Sequence, residues 1–178
     1  LVATFLAFYI TPRIVKILEK RTVVLIAIAG VGFLSPAAFI MYNLGLTPEK
    51  GSMQLVFFIS FFLVFLITLN VMGIMVRDSM VGDIADEVEL QSGKRQEGIL
   101  YATVGFMQKL NAGLGSFFAG LVLTFIGFDK DNPSIEQGYT LAVVQGPGTT
   151  LLMIVPFIIF LGYSLSSSRH KEIMNSLK

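Results

Sequence analysis

The stretch GDIADEVELQSGKRQEGILYATVGFMQKLNAGLGSFFAGLVLTFIGF, Gly82 to Phe128, decides how this chain is read. Its first third is dense in charge. From about Gly98 to Phe128 it is apolar apart from one lysine, Lys109. A run of that length suits a bilayer crossing, because about 20 apolar residues span the ~30 Å hydrocarbon core. Measured from Gly98 at 1.5 Å per residue, Lys109 sits roughly 16 Å deep, near the midplane. A cation there costs at least ~2.5–3.5 kcal/mol and ordinarily faces a bundle interior or a wet cavity. Gly105, Lys109, Gly113, Ser116 and Gly120 recur at steps of three or four, so they share one helix face. Small residues at that spacing admit a neighbouring helix closely. The expectation is a membrane helix with one packed face and an ionisable residue on it.

Composition widens that reading to the whole chain. Of 178 residues 54% are hydrophobic and 14% charged, and mean hydropathy is +0.75. Soluble domains carry about a quarter charged residues, so the chain reads as an integral membrane protein. The net charge of +1 forms no basic stripe, which excludes nucleic acid as a partner. Without cysteine there is no disulfide or thiolate metal chemistry, and a single histidine, His170, makes no histidine cluster. The chain opens Leu-Val-Ala inside an apolar run, with no basic n-region or cleavage site. It is therefore expected to lack an N-terminal part.

Five spans are expected, at about 1–10, 23–44, 53–76, 98–128 and 138–165. Between them lie a basic connection at 11–22, a turn at 45–52, a charged link at 77–97 and a polar turn at 129–137. A tail at 166–178 ends the chain. Pro36 interrupts the second span. Pro147, between Gly146 and Gly148, and Pro156 interrupt the fifth, with Pro147 as a candidate gating hinge or static kink; such breakers are tolerated where neighbours re-satisfy the freed backbone groups. Alternating connections put Arg13, Lys16, Lys20, Arg21, Arg77, Lys94, Arg95, Arg169, Lys171 and Lys178 on one side. Only Lys50 and Lys130 fall on the other, and Lys109 completes the 13. The positive-inside rule then places the links and the C-terminus in the cytoplasm of a cell (inner) membrane.

Three sets of side chains carry chemistry. Lys109 reads as a substrate- or ion-pathway residue, or as a structural ion pair; no acid within the spans can pair with it. Asp83 and Asp86 are three apart and Glu89 follows three later, so all three fall on roughly one helix face. Gly93 supplies a turn before Lys94 and Arg95. This cluster can be a latch of carboxylate–arginine pairs, an Asp-x-x-Asp site for a Mg²⁺–diphosphate, or a solvated loop. The enzyme reading wants a second acidic cluster on the same side, and Asp129 and Asp131 lie on the opposite one. Asn70, Gln108, Gln145, Thr149 and Thr150 are polar within spans and serve either a pocket or helix–helix contacts.

DIADEVELQSGKRQEG followed by YATVGFMQKLNAGLGSFFAGLVLTFIGF resembles the C-terminal half of the glycoside–pentoside–hexuronide:cation symporters (melibiose permease-like), in the major facilitator superfamily. An Asp-x-x-Asp ending the tenth helix, a basic loop and a lysine midway along the eleventh helix form that family's pattern. PRIVKILEKRT resembles its loop between helices eight and nine. The resemblance implies an all-α membrane protein, a major facilitator superfamily-like bundle whose five transmembrane helices resemble helices 8–12 of twelve. It implies symport of a small polar solute, a sugar or glycoside, coupled to Na⁺ or H⁺ by alternating access. It implies no cofactor beyond that cation, whose site would lie in the absent N-terminal half of the same chain. Lys109 and Gln108, with Gly105, Gly113, Asn70 and Gln145, would line the pathway. Asp83, Asp86, Glu89 and Arg95 would form the cytoplasmic latch. The expected partners are the lipid bilayer and a small-molecule substrate. The competing readings are a lipid or lysolipid carrier on the same scaffold, a membrane enzyme using Asp83 and Asp86, and a non-transporting scaffold.

Overall fold

The computed structural model describes residues 1–49, 51–132, 134–164 and 167–176, with the side chains of Ser167, Ser168 and Lys171 excepted. Lys50 and Lys178 of the expected charge asymmetry, and the last residue of the expected fifth span, lie outside the described residues. Those residues form helices and connections only. In chain order they are α1 (Val2–Ile14), α2 (Lys20–Asn43), α3 (Met53–Ser92), α4 (Glu97–Phe125), α5 (Ile135–Val143), a π-helical turn (Val144–Gly148), α6 (Thr149–Leu161) and α7 (Ser167–Ser176).

Three of these are long and apolar enough to cross a membrane: α2, α3, and the run Ile135–Leu161 through α5, the π turn and α6. Large apolar side chains such as Phe33, Phe57 and Leu152 stand outward at 84%, 71% and 71% exposure. In lipid that surface is solvated, and the protein is an integral membrane protein. The fourth expected span does form a long helix, α4, but Gln108, Lys109 and Asn111 at its centre keep it out of that apolar set. The first expected span is the 13-residue α1.

The largest departure from expectation is α3. The expected span stopped at residue 76 and handed over to a link, yet the helix runs unbroken to Ser92. Its 40 residues extend roughly 60 Å, about twice the hydrocarbon thickness. It can continue because DSMVGDIADEVELQS holds no proline, and Gly82 is the one weak helix former in it. Ser52 caps its start by accepting from the Leu55 N–H at 3.2 Å. Gly93, at φ 65°, ends it in the left-handed conformation that suits glycine.

The core lies where α2 crosses α3. Val23, Val24 and Ala27 pack against Met72, Val76 and Met80, all buried. Small residues set the approach: a Cβ on Gly73 would stand 3.2 Å from the Ala27 Cβ. On the other side of α3, α1 buries Ala3, Ala7 and Thr11.

The second major contact, α2 against α6 and the π turn, is built on two helix breakers. Pro36 has no N–H, so the Gly32 carbonyl four residues earlier loses its helical donor. The Thr150 hydroxyl donates to that oxygen at 2.7 Å. In return the Ser35 hydroxyl donates to the Gln145 carbonyl at 2.8 Å, inside the π turn that Pro147 occupies. Gly146 makes the approach possible, since a Cβ there would meet the Pro36 Cα at 3.3 Å and the Phe39 Cβ at 3.4 Å. The carbonyl that Pro36 frees is thus satisfied from α6, and a second hydrogen bond ties α2 to the π turn.

Candidate functional site

The charged end of the bundle forms where α3 outruns its neighbours. Asp83 lies just under one turn past the core residue Met80 on that helix, and is itself buried. Lys20, first residue of α2, places its ammonium 2.7 Å from both Asp83 carboxylate oxygens. The pair is partly sheltered, with side-chain exposures of 23% and 12%. Asp86, one turn on, is met by His170 of α7, whose Nε2 lies 3.0 Å from Oδ2. The same Nε2 is 3.6 Å from Asp83 Oδ1. Two carboxylates on one face of α3 thus gather a lysine from α2 and a histidine from α7.

Arg95 is engaged elsewhere. The expected latch grouped it with Asp83, Asp86 and Glu89; of these it reaches Glu89, at 3.7 Å, and it also binds Glu97 at 2.8 Å. The hydrogen bond and charge of Glu97, then the charge of Glu89, raise the guanidinium's pKa further. The reason is geometric: Gly93 turns the chain away at the end of α3, so Arg95 folds back on its nearest acids. Lys20 and His170 are the partners that sequence reasoning did not name. A lysine opening a helix, and a lone histidine in an otherwise polar tail, were the available signals.

Alongside these groups Arg21 donates to the Leu161 carbonyl, closing the end of α6 with a cation, where the helix dipole favours one. Arg77 pairs with its neighbour Asp78 at 2.7 Å.

The expected pathway residues fall into three places. Asn70 lines a cleft of about 190 Å³ between α2, α3 and α6, together with Gly73, Arg77 and Met153. Gln145 lines a separate hollow beside the Pro36 kink, with Ser35, Phe39 and Tyr42. Gln108, Lys109, Gly105 and Gly113 lie on α4, which lines neither. Among the described residues Lys109 has no hydrogen bond or ion pair, and its side chain is exposed. Cβ atoms built on Gly105, Gly113, Gly115 and Gly120 would meet nothing within 4 Å. The packed face expected of α4 is therefore bare in this chain. The helix touches α3 near its start, where the Tyr101 hydroxyl donates to the Asp78 carbonyl at 3.2 Å.

Comparison with known proteins agrees with this architecture. A family model described as MFS/sugar transport protein matches residues 1–167. An uncharacterized symporter of Synechocystis sp., sll1374, is 30% identical over 107 residues, covering 56% of this chain and 20% of the relative. The uncharacterized symporter YnaJ of Bacillus subtilis is 31% identical over 96 residues, covering 51% and 20%. The provisionally named glycoside/cation symporter YagG of Escherichia coli is 24% identical over 92 residues, covering 52% and 19%. The matched part thus spans about a fifth of each curated relative. No solved structure matches.

Proposed function

This chain belongs to the MFS/sugar transport protein family, and on that premise we propose that it works within a secondary transporter. The transporter moves a small polar solute, a sugar or glycoside, together with Na⁺ or H⁺ by alternating access. The observation that carries this reading is the family match over residues 1–167. The symporter names of the relatives support cation coupling, and YagG supports a glycoside.

The parts take the following roles in this reading. The ten-to-two basic split supports a cytoplasmic position for the end bearing Asp83, Asp86 and Arg95, and for the C-terminus with it. There the Lys20–Asp83 and His170–Asp86 contacts tie α2 and α7 to α3 and bias the opening of that side. Lys109 and Gln108 face the solute pathway, with Gly105 and Gly113 leaving room for it. An amine near mid-helix with no carboxylate engaged is suited to hydrogen-bond a hydroxylated solute. The coupling cation binds outside this segment. The host membrane is the cell (inner) membrane.

The test is uptake into proteoliposomes holding the full-length protein. Labelled glycosides, pentoses and hexuronates are offered under an inward Na⁺ gradient, an inward H⁺ gradient or neither. Gradient-driven accumulation of at least one sugar class supports the reading. Gradient-independent movement of a lysolipid, with no sugar accumulated, overturns it in favour of a lipid carrier.

A further inference from the structure

The tail helix α7 is docked. It packs on the charged end of α3, and Ile173 is completely buried there. Its polar hold is His170, whose Nε2 reaches Asp86 at 3.0 Å and Asp83 at 3.6 Å. Asp83 already holds Lys20 at 2.7 Å. One ammonium set against two carboxylates leaves a negative charge unmatched. A protonated imidazole between them brings the group to neutrality.

Among the described residues the neighbouring charges engage other groups. Arg95 is bound to Glu97 and Glu89, acting on Asp86 only from a distance. Arg169 pairs with Glu172 on α7 itself. Glu87 on α3 adds negative charge, acting with Asp83 on Tyr163. The Tyr163 phenol lies just beyond α6. Burial first, then Asp83 and Glu87, push it up to about 12, so it stays neutral in the range that matters.

We propose that α7 is a proton-strengthened latch: protonated His170 bridges Asp83 and Asp86 and clamps the tail helix to the same carboxylate that holds α2. Histidine changes charge between about pH 5 and 8. On the acidic side the contact is a charge-assisted bridge to two carboxylates. On the alkaline side one neutral hydrogen bond, to Asp86, is left. Docking therefore tightens as pH falls. The inference is independent of the solute carried, since it concerns only how α3, α2 and α7 are tied.

The test is hydrogen–deuterium exchange of the backbone at 167–176 in the full-length protein in lipid nanodiscs. It is run at about pH 6 and pH 8 and corrected for the intrinsic pH dependence of exchange. Protection should be about fivefold higher at the acidic pH, the ratio expected when a neutral hydrogen bond becomes charge-assisted. His170→Gln should abolish the difference, leaving the alkaline level at both. Asp86→Asn should reduce it. His170→Arg, a permanent cation, should give high protection at both pH values, which a merely structural histidine does not predict. The proposal is overturned if His170→Gln keeps the parent's pH dependence. It is equally overturned if 167–176 exchanges like a free peptide throughout.

Discussion

Separating Lys20 from Asp83 should cost the protein measurable stability, and the structure bounds how much. Both carboxylate oxygens lie 2.7 Å from the ammonium, and the side chains keep 23% and 12% of their exposure. An exposed ion pair is worth ~0–1 kcal/mol, whereas breaking a buried one by removing a single partner costs ~3–5 kcal/mol. A half-sheltered pair falls between, at about 2 kcal/mol per single change. Lys20→Met should sit below that value, because His170 Nε2 remains 3.6 Å from Asp83. Asp83→Asn should sit at or above it, because it strands the ammonium and takes a carboxylate from His170. Lys20→Met with Asp83→Asn removes both charges and their desolvation together, so it should lose less than the sum of the single changes. The assay is reversible unfolding of the full-length protein in mixed micelles, read as a double-mutant cycle. A coupling of about 1 kcal/mol or more is expected. Effects that add to within ~0.5 kcal/mol would refute the pair as an energetic contact.

Other changes probe other parts. Thr150→Val deletes the donor to the Gly32 carbonyl that Pro36 leaves open; it should cost about 1–3 kcal/mol in the same unfolding assay, while Ser serves as the conservative control. Gly146→Val drives a side chain onto the Pro36 backbone at 3.3 Å and should cost about 1–3 kcal/mol, with lower expression. Lys109→Arg keeps the charge but replaces a compact ammonium with a planar fork, so uptake should fall almost as far as in Lys109→Ala at matched expression; parental transport by both variants would remove Lys109 from the pathway. The chain has no native cysteine, so Ser52→Cys, Ser92→Cys and Ser134→Cys can be probed with an impermeant maleimide on intact cells. Labelling is expected at 52 and 134 and not at 92, and labelling at 92 would reverse the orientation.

What could be read from sequence was what depends on one helix at a time. Apolar runs gave the helices, and the three-residue spacing of Asp83 and Asp86 put them on one face, because both follow from local periodicity. The expected third span stopped at residue 76, where charge begins, and Asp83, Asp86 and Glu89 were expected on a helix face beyond it; α3 joins the two in one helix. Charge ends a membrane span; only a breaker such as Gly93 ends the helix. The partners of the acids were out of reach for a different reason. Lys20 is 63 positions from Asp83 and His170 is 84 from Asp86, and no local pattern encodes contacts at such separations. Arg95 was expected to reach the acids because it is near them in sequence, yet the turn at Gly93 gives it closer ones. Pro36 and Pro147 were legible as breakers, but not as breakers that face each other.

That pairing of breakers bears on how the chain could move. A proline kink left to itself exposes a carbonyl and bends freely. Here Thr150 closes the carbonyl that Pro36 opens, Ser35 adds a bond to the Gln145 carbonyl, and Gly146 lets the backbones meet. The contact of α2 with α6 and the π turn is thereby held by hydrogen bonds as well as packing. α1 adds a further tie to α3, the Thr68 hydroxyl reaching the Ala3 carbonyl at 3.2 Å. α1 is thus tied to α3, α3 to α2 and α2 to α6. α4 is held differently: it leaves α3 through the short turn after Gly93 and rests on it near Tyr101, with its glycine row open. If one element of this segment shifts against the rest during transport, physical economy points to α4, which carries Lys109. Its motion would break the tyrosine hydrogen bond to α3, whereas moving α6 and the π turn from α2 would break two hydrogen bonds and reopen the Pro36 kink.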